Sequence, residues 1–251
     1  MPVRYLGVDE AIARDGLRMV VVGGVPSPWG EAAKGIFDLK RIEWVAVRLA
    51  YDSEPLRQWA GQRSGPVAIH DKEPPRAGWA EILLLAERLA PAPALLPADA
   101  GERATMFGLA HEICGEGGLG WTRRLRLIHI SAFGDRPSAY LGRKYGYSPA
   151  AGQTAAARVV ALLRMLAARL EAQQRLGSPY YVGNALTAVD VYSATFMALF
   201  EPLPPEQCPM DEMSRTAFAT RDPETDAALD PILLRHRDMM YTRHLELPLS
   251  L

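Results

Sequence analysis

Over residues 1–90 the hydrophobic positions fall into short β-branched runs separated by stretches with helical spacing. Leu17-Arg18-Met19-Val20-Val21-Val22 predicts a buried strand, closed by Gly23-Gly24-Val25-Pro26. Ser27-Pro28-Trp29 then opens a helix, with Ser at the N-cap and Pro at the first helical position. Ala32, Ala33, Ile36, Phe37 and Leu39 supply its apolar face. Glu43 to Val47 predicts a second strand, and Pro66 to His70, preceded by Gly65, a third. After the turn Asp71 to Pro75, Trp79 to Leu89 predicts a long helix. Strand, helix, strand, (helix), strand, turn and helix describe a small α/β unit with helices against a sheet.

Ala90 to Gly101 carries Pro91, Pro93, Pro97 and Gly101 and predicts a linker. From Glu102 onward the pattern is helical. Val159, Leu162, Leu163, Leu166 and Leu170 make Thr154 to Gln173 amphipathic. Asp230-Pro231 predicts the start of a last helix through His244, and Pro202 to Pro209 a connection. The most informative stretch is Tyr180-Tyr181-Val182-Gly183-Asn184-Ala185-Leu186-Thr187-Ala188-Val189-Asp190, followed by an apolar run to Phe200. Thr187 and Asp190 are spaced as a capping box, and Leu186 and Val191 as a hydrophobic staple. The helix that follows is apolar nearly all round, which suits the centre of a domain.

A chain of 251 residues buries a substantial core, and its composition is that of an ordinary globular protein. The net charge of −1 gives no reason to expect nucleic acid or an anionic membrane as partner. Cys114 and Cys208 lie far apart with no C-x-x-C, so neither a disulfide framework nor a thiol redox pair is indicated. The first residues carry acids at Asp9, Glu10 and Asp15 and no signal-peptide core. No apolar run reaches the roughly 18 residues of a spanning helix. A cytoplasmic protein is the expectation.

Taken together, the chain resembles the glutathione transferase family, over about residues 17–245. Three pieces carry the resemblance: the strand, loop and Ser27-Pro28-Trp29 helix start; the Gly65-Pro66-Val67 approach to the third strand; and Gly183 with Leu186-Thr187-Ala188-Val189-Asp190. The resemblance implies an α/β thioredoxin-like N-terminal domain (residues 1–90), a linker (91–101) and an all-α C-terminal domain (102–251). Glutathione is then the co-substrate, no metal is involved, and the protein forms a homodimer.

By position, Ser27 is the hydroxyl that stabilises the glutathione thiolate. A free thiol has a pKa of about 8.5. A hydrogen bond to a charged group is worth roughly 1.5–3 kcal/mol, and about 1.4 kcal/mol is one pKa unit. One well-placed hydroxyl with a helix N-terminus behind it therefore makes thiolate the majority species. The competing role for Ser27 is simply that of a helix cap. The resemblance makes Gly65-Pro66 a cis bond that opens backbone to the cysteinyl part of glutathione. It places Trp29, Arg63, Gly65, Pro66, Val67, Ala77 and Gly78 around the tripeptide, and Trp121, Tyr140 and Tyr145 around an apolar electrophile.

The chain departs from the family at Ala77-Gly78, where an acid and a serine usually grip the γ-glutamyl group. Neither side chain here can hydrogen-bond. Backbone N–H groups of the following helix can hold a carboxylate, with Arg76 or Arg63 contributing charge. The departure keeps two alternatives in view: a non-catalytic binding protein on the same scaffold, and a glutathione-dependent isomerase or reductase. Ser rather than Cys at position 27 argues against a thiol exchanger.

Other patterns have plainer explanations. Gly115-Glu116-Gly117-Gly118-Leu119-Gly120 spells G-x-G-x-x-G, but it follows a helical stretch rather than a strand, so a break between two helices is expected. His111-Glu112 lacks the second histidine of a zinc motif. Arg123, Arg124 and Arg126 read as a solvated helix face, with an anionic ligand or a dimer contact as alternatives, and Tyr140, Tyr145 and Tyr147 as a cluster in a Gly-rich loop that borders the acceptor pocket if the resemblance holds. His236 and His244 have no further metal ligands in view, and Cys114 reads as a small buried hydrophobe.

Overall fold

The computed structural model describes residues 3–132 and 135–251. Its sheet has four strands: β1 (Tyr5–Leu6), β2 (Leu17–Val21), β3 (Trp44–Arg48) and β4 (Val67–His70). They lie in the order β1-β3-β2-β4. β3 runs parallel to both β1 and β2, with Met19 opposite Ala46; β4 is antiparallel to β2, with Met19 opposite Ala68. Every residue of β2 is buried, which explains an apolar run interrupted only by Arg18: helices cover both faces of the sheet. Arg18 is accommodated because its guanidinium donates to the carbonyls of Gly16 and Asp71 at 2.7 and 2.8 Å.

On one face α1 (Val8–Ala13) and α3 (Glu54–Ala60) bury Ala11, Leu56 and Ala60 against Val20, Val47, Val67 and Ile69. On the other, α2 (Pro28–Leu39) and α4 (Trp79–Leu89) bury Phe37 and Leu83 against Met19 and Val21. The arrangement is thioredoxin-like. β1 and α1 have no counterpart in the sequence expectations, because two paired residues carry no periodicity. The turn after β4 closes with an antiparallel bridge between Ala68 and Arg76.

The rest of the described chain is helical: α5 (Ala100–Cys114), α6 (Leu119–His129), α7 (Asp135–Tyr145), α8 (Pro149–Arg175), α9 (Ala188–Phe196), α10 (Glu212–Ala219), α11 (Pro223–Ala228) and α12 (Pro231–Arg243). A 3₁₀ turn, Met197–Leu199, continues α9. α5 is capped by Asp99, so it begins inside the stretch expected to be linker. α9 is buried on all sides and packs on α2, α5 and α12. At its start Asp190 accepts from the Thr187 backbone N–H at 2.9 Å and from the Thr187 hydroxyl at 3.0 Å. Its other oxygen accepts from the Tyr181 N–H at 2.9 Å and faces His236 Nε2 at 3.2 Å. Asp, though shorter than Glu, reaches both sides of the cap.

Two expectations are corrected and a third is borne out. Arg123 and Arg124 are 0 % and 8 % exposed, not solvated. Arg123 donates to the carbonyls of Leu199 (2.9 Å) and Thr220 and lies over the Phe200 ring, while Arg126 pairs with Asp222 at 2.8 Å. Burial draws the Arg123 guanidinium down to about 9. Tyr140 and Tyr145 stand on helix α7 rather than in a loop. The glycine-rich hexapeptide is the junction of α5 and α6, as expected, and its spacing records packing: a Cβ on Gly120 would stand 2.3 Å from the Phe196 ring and 2.8 Å from that of Trp29.

Candidate functional site

Between the sheet and the helices lies a cavity of about 580 Å³, a size that suits a small ligand. The loop after β2 and the first turn of α2 form one side, and the Gly65-Pro66 bend with the start of α4 a second. The α5–α6 junction and α7 form the third, and α10 reaches over it with Met213 and Phe218.

Ser27 lines this cavity as the N-cap of the twelve-residue α2. Its backbone N–H donates to Val25 and its carbonyl accepts from Glu31, both at 2.8 Å. Its hydroxyl makes no capping bond. Pro28 at the first helical position has no N–H to satisfy. The hydroxyl is therefore a donor without a partner among the described residues, at the positive end of a helix dipole. This site suits an anion or a polarisable sulfur.

Gly65-Pro66 is a cis peptide, and both residues line the cavity. A Cβ at position 65 would stand 3.1 Å from the Val20 carbonyl, so glycine lets the bend lie against β2. Trp29, Ala77 and Gly78 also line the cavity. The Gly78 N–H is taken by the Glu81 carboxylate at 3.0 Å.

Two residues expected beside them are elsewhere. Val67 is fully buried in the cluster on the opposite face of the sheet, since alternation along β4 turns its side chain away. Arg63 is exposed, lies 3.7 Å from Glu54 and does not line the cavity. Arg76 is held by Glu73 at 2.7 Å and contributes no charge to the cavity either. The polar side chains that do line this end, Gln62 and Ser64, carry no sequence signal beyond their closeness to Gly65.

On the helical side Trp121 and Tyr145 line the cavity, their rings edge to face at 4.8 Å. Trp29 approaches Tyr145 at 6.4 Å and Phe196 at 4.8 Å. Tyr140 is not among the lining residues. Its hydroxyl donates to the Arg63 carbonyl at 3.1 Å and its ring meets Tyr51 at 5.1 Å, so it bridges α7 to the sheet. Arg124, expected chiefly on a solvated face, and Lys144, which the sequence did not single out, also line the cavity. Trp121 and Arg124 are three apart on α6, which puts them on one face and was the available signal. Cys114 lines the cavity too, and burial pushes its thiol well above the ordinary value, which leaves it unreactive. Among the described residues no group of three His, Cys, Asp or Glu is placed to hold a metal, and no helix is long and apolar enough to cross a membrane.

No known family profile matches the sequence, and no curated protein does. Solved structures match in shape. A glutathione S-transferase from Methylobacterium radiotolerans, in complex with glutathione sulfonate, is 18% identical and aligns with a TM-score of 0.64 over 90% of this chain and 91% of its own. One from Methylobacillus flagellatus with glutathione bound is 14% identical, with a TM-score of 0.63 over 91% and 96%. Ure2p in complex with glutathione is 12% identical, with a TM-score of 0.58 over 86% and 98%. Across its α/β and helical halves alike, the chain has the fold of the glutathione transferases.

Proposed function

We propose that the protein is a glutathione transferase-like enzyme that binds glutathione along the loop after β2, the Gly65-Pro66 bend and the start of α4. The observation that carries this reading is Ser27, which lines the cavity with a hydroxyl that makes no capping bond. Donating to the glutathione sulfur, it favours the thiolate, whose proton leaves to solvent, and the sulfur then attacks an electrophile on the Trp121–Tyr145 side. Support comes from the fold and from the glutathione and glutathione sulfonate bound in two proteins that share it. At the γ-glutamyl end, the free N–H groups in the first turn of α4 receive the carboxylate in place of the missing side chains, with Gln62 and Ser64 beside it.

Ala77-Gly78 also favours a second reading, a binding protein that retains the cavity without glutathione. Calorimetric titration with glutathione separates the two. A Kd below about 1 mM, with Ser27→Ala binding comparably but raising the bound thiol's pKa by about 1–2 units, supports the enzyme. No heat at several temperatures and no thermal shift support the binding protein.

A further inference from the structure

We propose that the acceptor side of this cavity takes a planar aromatic molecule bearing an anionic group, a carboxylate or a sulfonate, with Arg124 and Lys144 recognising the charge. This deepens the glutathione-site proposal, on which it rests only for placing the acceptor across from Ser27.

Among the described residues two cations line the cavity, Arg124 from α6 and Lys144 from α7, against one carboxylate, Glu116. They meet at a single ring. Arg124 hydrogen-bonds to the Tyr145 side chain, and the Lys144 ammonium lies 5.5 Å from the centroid of the Tyr145 ring. The Lys144 ammonium makes no hydrogen bond or ion pair among the described residues. The Arg124 guanidinium lies 4.8 Å from the Phe218 ring, which roofs the cavity from α10. Trp121 completes the wall, edge to face with Tyr145. The result is an aromatic slot with positive charge on two of its sides.

The charges are held there at a cost. Burial lowers the Arg124 guanidinium, while partial desolvation at the rim, with Arg124 as neighbour, lowers the ammonium of the otherwise exposed Lys144. An anion between them relieves both effects, whereas a neutral guest relieves neither. Arg offers a planar fork to a carboxylate and Lys a mobile point charge, so the pair suits an anion that enters and leaves. The apolar electrophile expected from sequence thereby gains an acidic group.

The test is calorimetric titration with cinnamate and, as neutral counterpart, cinnamyl alcohol, on wild type and Lys144→Gln, with and without saturating S-methylglutathione. Arg124→Gln is included, but it alters a buried side chain; Lys144→Gln keeps the test decisive if that variant misfolds. The expected result is cinnamate bound about tenfold tighter than the alcohol, a preference that Lys144→Gln reduces to about threefold or less by weakening cinnamate alone. Equal affinities, or Lys144→Gln weakening both probes or neither, overturn the proposal. So does displacement of cinnamate by S-methylglutathione, which would give the cations to the tripeptide's own carboxylates. A cinnamate preference in a protein that fails to bind glutathione would overturn the transferase reading and leave the anionic slot standing.

Discussion

The indole N–H of Trp29 donates to the carbonyl of Cys114 at 2.9 Å. Trp29 belongs to α2 of the sheet half and Cys114 ends α5 of the helical half, so the bond crosses between them beside the cavity. The Trp29→Phe variant keeps a ring against Phe196 but leaves this carbonyl without its donor. It should cost about 1–3 kcal/mol, seen as a lower urea midpoint with an unchanged slope. An unchanged midpoint would show that this bond contributes nothing to holding the halves together.

Ser27→Ala should separate stability from function. Serine caps usually contribute about 1 kcal/mol, but this hydroxyl makes no capping bond. The variant should unfold within about 0.5 kcal/mol of wild type while losing glutathione-dependent turnover. A loss of stability typical of a cap would place the hydroxyl on the helix after all.

Two glycines should respond oppositely to alanine. At Gly120 the added methyl meets Phe196 and Trp29, so Gly120→Ala should destabilise by roughly 1–3 kcal/mol or more. At Gly108, exposed within α5, a Cβ meets nothing within 4 Å, and Gly108→Ala should stabilise by up to about 1 kcal/mol. Thermal midpoints of the two variants suffice, and equal shifts would contradict the close packing at the α5–α6 junction.

Glu73 should shape the acid limb of stability. Its carboxylate accepts from Arg88 at 2.6 Å, Arg76 at 2.7 Å and His70 at 2.9 Å. The Arg88 hydrogen bond first, then those of His70 and Arg76, hold it down at about 2. An unfolded glutamate titrates near 4.3, so between these values the unfolded chain binds the extra proton. The contribution is complete above pH 4.3 and is lost as pH falls through about 2. Glu73→Gln should be less stable at pH 7 and show a flatter decline below pH 4.5, measured by urea titration at each pH. A variant with the wild-type slope would remove Glu73 from the turn that carries Ala77 and Gly78.

How much of this was legible in the sequence varies with the physics involved. Elements specified by local chemistry were visible: the β-branched run of β2, the Ser-Pro start of α2 and the Thr187–Asp190 box of α9. What depended on partners far along the chain was not. Arg123 and Arg124 are buried because Leu199, Thr220, Phe200 and Phe218 meet them from more than seventy residues away, and an arginine run carries no mark of that. Val67 adjoins the bend in sequence, yet the pleat of β4 sends its side chain to the other face. β1 was invisible because the register of β3, not its own two residues, makes it a strand.

The inward-turned arginines also change what a neighbour touches. Among the buried charged side chains of the described residues six are basic (Arg18, Lys34, Lys40, Arg123, Arg124 and Arg237) and two are acidic (Glu31 and Asp190). The groups left in contact with water are correspondingly richer in acid than the formal charge of −1 suggests. A polyanion or an anionic bilayer pressed against this molecule meets more carboxylates than cations. Of the six, only Arg124 lines the cavity, where a guest small enough to pass the rim can reach it.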